Sequence, residues 1–195
     1  MQSKQKGFTL IELLVVIAII AVLSVVVILT LNPAELLRQA RDSNRISDLN
    51  TMKSAISLFL VDTASSTGLG LYTTCYSSAP NPNEVSQQCN LIFEPDPTVT
   101  STKAAATAPK VDGAGWIPID FTRISSGAPI GTLPVDPVNA TPTYYFYRAS
   151  STAATFKMGV RLESSKYGFG GGSDVVANDG GNNTSTYEVG TNLAM

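Results

Sequence analysis

Gly7-Phe8-Thr9-Leu10-Ile11-Glu12 runs without a break into Leu13-Leu14-Val15-Val16-Ile17-Ala18-Ile19-Ile20-Ala21-Val22-Leu23, and this stretch decides the architecture. After Ser24 the apolar run resumes as Val25-Val26-Val27-Ile28-Leu29 and reaches Leu31. A helix needs about 20 mostly apolar residues to cross a bilayer, and the block supplies them. Ahead of it stands Met1-Gln2-Ser3-Lys4-Gln5-Lys6, with two lysines and no acidic residue. That bias keeps the N-terminus cytoplasmic and sends everything after Leu31 outside.

Three readings compete for the block. A secretory signal peptide has a shorter apolar core and a small-residue cleavage site after it. Here Ala18 and Ala21 lie inside the core, and Leu29-Thr30-Leu31-Asn32-Pro33 has no A-x-A pattern. A plain single-pass anchor explains the length but not Glu12. A carboxylate costs about 2.5–3.5 kcal/mol at the centre of a spanning helix and less near its end. Such a residue either lies close enough to the interface to be solvated, or has a partner and a role.

Following a basic leader and preceding an unbroken apolar helix, Gly7-Phe8-Thr9-Leu10-Ile11-Glu12 resembles the class III signal of type IV pilins and type II secretion pseudopilins. The resemblance is close through Leu31 and loose beyond it. It implies a prepilin peptidase that cuts between Gly7 and Phe8 and methylates the new N-terminal Phe8. It also implies that Glu12 meets the Phe8 ammonium of the subunit assembled just before it. A buried charge is tolerable when paired, and pairing across subunits fixes axial register. The resemblance further implies a homopolymer joined through the N-terminal helices, with an assembly platform and ATPase as partners and membrane lipid as the surroundings before assembly.

Composition agrees with a structural role. Of 195 residues 44% are hydrophobic, concentrated between Phe8 and Leu31, and the remainder is rich in Ser, Thr, Gly, Asn and Pro. A net charge of -2, with 13 scattered basic residues, gives no footprint of nucleic-acid binding. There is no histidine, which removes the usual general base and the commonest metal ligand. No enzyme is expected. The two cysteines, Cys75 and Cys89, read as one disulfide in an exported domain, the alternative being two free buried thiols. Closing a loop of about 15 residues contributes roughly 3 kcal/mol.

The helical pattern continues beyond Asn32-Pro33, where proline marks a kink or boundary. Leu49, Met52, Ile56 and Phe59 fall on one face, while Arg38, Arg41, Asp42, Arg45, Asp48 and Lys53 are expected mostly elsewhere. The expectation is one helix from about Phe8 to Asp62, bent near Pro33, its second half amphipathic. Thr63–Pro82 and Glu94–Lys110 read as loops. Trp116–Phe121 reads as a strand or edge, with Pro118 against a central position. Tyr144–Arg148 and Thr155–Glu163 read as strands joined by Ala149–Ala154, with a last short strand at Tyr187–Gly190.

The expected fold is therefore α+β and pilin-like, a spine helix packed on a small antiparallel sheet of three or four strands. Its parts are a leader over residues 1–7, a transmembrane and filament-core helix over 8–31, an amphipathic continuation over 32–62, and a head over 63–195. Leu133-Pro134-Val135-Asp136-Pro137 resembles the L-P-x-D-P segment of many pseudopilins, and physically is a Pro-Asp turn. In the Gly-rich stretch 168–183, Asp174, Asn178 and Asp179 offer oxygen ligands, and major pseudopilins carry calcium in their C-terminal loop. EF-hand spacing is absent, and the same residues are common in ordinary turns. Asn139-Ala140-Thr141, Asn182-Asn183-Thr184 and Asn183-Thr184-Ser185 fit glycosylation sequons.

Two features depart from many pilins. Both cysteines precede residue 90, and no glycine interrupts Phe8 to Leu31. The reading is a filament subunit that starts in the cytoplasmic membrane and ends in an extracellular or periplasmic filament. A type IV pilus is favoured over a secretion pseudopilus. A membrane-anchored binding protein that never polymerises is the rival from another class.

Overall fold

A computed structural model describes residues 7–64, 66–80, 89, 101–104 and 109–195. Residues 1–6, Asn81-Pro82-Asn83 and most of 94–110 lie outside the described residues. The chain divides into two compact units, Met1–Leu37 and Arg38–Met195.

In the first unit, α1 spans Leu10–Leu31. Its 22 residues make a rod about 33 Å long, enough to cross a bilayer. The window Leu10–Ile28 has a mean hydropathy of 3.2, and none of it is buried within the chain. Its two hydroxyls are satisfied internally: Ser24 Oγ donates to Ile20 O at 2.7 Å, and Thr30 Oγ1 to Val26 O at 3.0 Å. A lipid-facing polar group needs such a partner, since hydrocarbon offers none.

The expected single bent helix is instead two. Asn32 ends α1 in the left-handed region at φ 41° and ψ 75°, a conformation asparagine tolerates better than most residues. The Asn32 carbonyl accepts the Glu35 and Leu36 amides at 2.9 and 3.3 Å, so α2 (Pro33–Thr63) starts on it. Pro33 occupies the first helical position, where the missing amide costs nothing.

In the second unit, α2 covers a five-stranded sheet of order β2-β1-β3-β4-β5. The strands are β1 Thr74–Ser77, β2 Ser101–Ala104, β3 Phe146–Ser150, β4 Thr155–Val160 and β5 Tyr187–Gly190. Four of them, β1, β3, β4 and β5, are antiparallel, and β2 adds to the edge parallel to β1. Leu49, Met52, Ile56 and Phe59 are fully buried in one cluster with Tyr147, Phe156, Met158, Val160 and Val189. This is the α+β arrangement expected.

Three local readings are corrected. β1 and β2 lie where loops were expected, since four-residue strands in Ser/Thr-rich sequence carry too little alternation to be seen. Trp116–Phe121 forms no strand; an isolated bridge joins Asp112 to Asp120, and a 3-10 turn follows at Phe121–Arg123. Trp116, Ile117 and Ile119 nevertheless fill the core, and the indole Nε1 donates to Pro134 O at 3.0 Å. On the opposite face of the sheet Cys75 and Cys89 form a disulfide, with Cα atoms 6.2 Å apart, packed with Ala79, Tyr144 and Phe146.

The largest correction concerns the charges of α2. Asp42 and Arg45 are both 0% exposed, on the buried face rather than away from it. Arg45 Nε and Nη2 donate to Asp136 at 2.5 and 3.0 Å, and Nη1 donates at 2.7 Å to both Asp42 and Glu163. Arg41 adds a second guanidinium, with Nε donating to Glu163 at 2.7 Å. The carboxylates also receive backbone amides: Asp42 from Ser164 at 2.7 Å, Asp136 from Val138 at 2.8 Å and Asn139 at 3.0 Å. The Leu133–Pro137 segment thus links α2 to the Trp116 loop through Asp136 and the Pro134 carbonyl.

Removing one partner of a buried pair strands the other charge, at about 3–5 kcal/mol. Asp136→Ala should therefore lower unfolding stability by that order, read in urea from the single tryptophan, Trp116. Replacing Arg45, Asp42 and Asp136 together by apolar residues should cost less than Asp136→Ala alone.

Burial pushes the Glu163 carboxyl up, but hydrogen bonds from Arg41 and Arg45 outweigh it and hold it below the usual range. A depressed native value contributes stability that is full above the ordinary glutamate value near ~4.3 and is lost as pH falls. The stability difference between wild type and Glu163→Gln should shrink on acidification through that window. A difference that stays constant down to the acid limb would contradict the assignment.

Candidate processing and assembly site

The site begins where α1 has not yet begun. Gly7, Phe8 and Thr9 precede the helix, and all three are exposed, Phe8 to 92%. Nothing lies within 4 Å of the place a Gly7 side chain would occupy. The Gly7–Phe8 peptide bond therefore lies ahead of the helix, with both residues exposed.

Thr9 is the N-cap, with extended backbone at φ -80° and ψ 153°. Its Oγ1 accepts the Glu12 amide at 3.3 Å, and Glu12 Oε2 reaches back to accept the Thr9 amide at 2.8 Å. The Thr9 hydroxyl also donates to Glu12 Oε2 at 2.7 Å. This reciprocal box satisfies amide donors that a helix start leaves orphaned. It sets the first turn so that helix geometry starts at Leu10 rather than Phe8. It also places the Glu12 carboxylate at the positive end of the helix dipole. The capping role of Glu12 is missing from the sequence reading, although Thr9-x-x-Glu12 is the signature of such a box.

The other sequence candidates belong to the second unit. Asp174 accepts the Gly170 amide at 2.6 Å and the Ala177 amide at 2.9 Å. Asp179 accepts the Gly181 and Glu188 amides, each at 2.7 Å. Asn178 Nδ2 donates to Asp174 O at 2.7 Å. All four carboxylate oxygens thus brace the loop. These residues share a cleft of about 370 Å³ with Lys53. Among the described residues no group of three or more His, Cys, Asp or Glu is arranged to hold a metal ion.

The sequence reading also missed Lys157, which is buried beside Glu188 with Nζ 2.6 Å from Oε1. A polar residue in an alternating strand reads as solvent-facing; here loops cover that face too.

Residues 2–28 match the family described as the prokaryotic N-terminal methylation motif. No curated protein and no solved structure matches the chain. The matched segment contains Gly7, Phe8, Thr9 and Glu12 and runs to the end of the most apolar part of α1. The chain thus carries the class III signal of type IV pilins and pseudopilins, which marks a pilin-like precursor.

Proposed function

We propose that this protein is a structural subunit of a type IV pilus-like filament. It is inserted in the membrane through α1, cut between Gly7 and Phe8, methylated at the Phe8 amine and polymerised through the same helix. The observation that carries the reading is the methylation motif over residues 2–28, set on a wholly exposed apolar helix. An apolar rod whose Leu10–Ile28 window is unburied among the described residues must be covered by lipid or by other rods. Both environments are dry, so transfer from one to the other costs little apolar free energy.

Glu12 gives the exchange its register. Before cleavage its carboxylate is held by Thr9, which offsets part of the cost of a charge near the membrane. Cleavage creates an ammonium at Phe8, and a neighbouring subunit's ammonium is a stronger partner than a hydroxyl. A prepilin peptidase, an assembly platform and an ATPase are the partners this reading requires. The chain itself performs no chemistry on a substrate.

A second reading, a pseudopilin of a type II secretion system, is favoured by Leu133-Pro134-Val135-Asp136-Pro137. In this head the segment braces Arg45 and Trp116, a task either filament type can use.

Coexpression with a prepilin peptidase should yield a chain that lacks Met1 to Gly7 and is about 14 Da heavier than the trimmed sequence, from one methyl group. An uncut, unmethylated chain would move an anchored, non-polymerising protein to first place. Glu12→Ala should leave cleavage intact and lower recovered filament at least about tenfold, the effect of roughly 1.4 kcal/mol per added subunit. Unchanged filament yield would reduce Glu12 to a helix cap.

A further inference from the structure

Strands β1, β3, β4 and β5 bury residues on both faces of the sheet, and the face turned away from α2 carries a reactive set. Strand alternation puts Met158 and Val189 in the core, and Lys157 and Glu188 on the other side. Lys157 is 0% exposed and Glu188 is 1% exposed. Lys157 Nζ lies 2.6 Å from Glu188 Oε1 and 3.2 Å from Asn182 Oδ1. It also donates to Leu193 O at 2.9 Å and to Met195 O at 3.2 Å.

The surrounding loop is built to hold this arrangement. Glu188 Oε2 accepts the Asn182 amide at 3.1 Å and the Asn183 amide at 3.4 Å, while Asp179 accepts the Glu188 and Gly181 amides. A side chain at Gly181 would collide with Glu188 Oε2, so glycine lets the loop close over the carboxylate. Gly190, opposite Lys157 in β5, likewise leaves no room for a Cβ against the Phe156 carbonyl. An amine, a carboxamide and a carboxyl group therefore meet in one place, two of them shielded from water.

We propose that Lys157 and Asn182 join in an intramolecular isopeptide bond, with Glu188 carrying the proton. Glu188 Oε1 takes a proton from the Lys157 ammonium, leaving a neutral amine. The amine lone pair adds to Cγ of Asn182, forming the Nζ–Cγ bond. The Cγ–Nδ2 bond then breaks as one Nζ proton passes to Nδ2, which leaves as ammonia; Glu188 hands its proton to that ammonia, so ammonium departs and the carboxylate is regenerated. No oxidant, metal or cofactor enters. Burial raises the Glu188 carboxyl, with the bond to Lys157 acting the other way. Fixed proximity replaces a bimolecular encounter that is otherwise slow for an amide. The product ties β4 to the loop before β5, across a separation of 25 residues.

Four oxygens around Nζ would equally suit a permanent ammonium, and mass distinguishes the two. The full chain, purified from cells in detergent and reduced, should be about 17 Da lighter than its sequence and N-terminal processing require. Trypsin should fail to cut after Lys157 and release Ala149–Arg161 joined to Tyr167–Met195. Lys157→Arg and Asn182→Ala should each restore the mass and free the second peptide. Release of unmodified Ala149–Lys157 and Tyr167–Met195 from the wild type overturns the proposal and leaves an ion pair. The wild-type digest decides the question even if a variant fails to fold.

Discussion

A guanidinium with no exposed surface survives only if every neighbour helps to hold it. Arg45 does so through three carboxylates drawn from three parts of the chain: Asp42 one turn earlier in α2, Asp136 in the turn after the Trp116 loop, and Glu163 beyond β4. Burial of such a charge costs several kcal/mol before any pairing, so the arrangement is poor evidence for high stability. Its value is in specification. Apolar packing between α2 and the sheet tolerates sliding by a turn, whereas a bidentate fork accepts Asp136 in only one register. The helix, the Trp116 loop and the sheet are thereby fixed with respect to one another inside the head.

At the other end of the chain the logic is reversed. α1 makes no attempt to bury itself, and its stability as a helix rests on internal hydrogen bonds, including those of Ser24 and Thr30. Such a segment is indifferent to whether lipid or protein surrounds it. Glu12 is the exception, because a carboxylate is never indifferent to its partner. In the isolated chain Thr9 supplies that partner within three residues, and the same box defines where helix ends and exposed peptide begins. One pair of side chains therefore sets both where the helix begins and which groups the carboxylate is bonded to.

How much was legible follows from the length scale of each signal. The apolar run, the Gly7–Glu12 motif and the Leu49-Met52-Ile56-Phe59 stripe are periodic or contiguous, and local sequence suffices to read them. The stripe extends further than its apolar residues suggest. Asp42 and Arg45 continue its three-and-four spacing upstream, a signal that could have placed them on the buried face. What sequence could not supply was Asp136, 91 residues away, to make their burial tolerable. Lys157 was missed for a related reason: alternation separates faces but does not say whether loops cover the second one. Trp116–Phe121 had the composition of a strand, yet Asp120 caps a 3-10 turn there and the chain wedges rather than pairs.

The division at Asn32 has a mechanical meaning. Helix formation is cooperative because each new bond relies on the turn before it, and the same cooperativity lets disruption spread. The first bonds of α2 end on the Asn32 carbonyl, not on a carbonyl inside α1. The last turns of α1 can thus unwind and lengthen without drawing a hydrogen bond out of α2. Asparagine at this one position acts as a firebreak, confining stretch to the segment without a folded core and sparing the head anchored by Arg45.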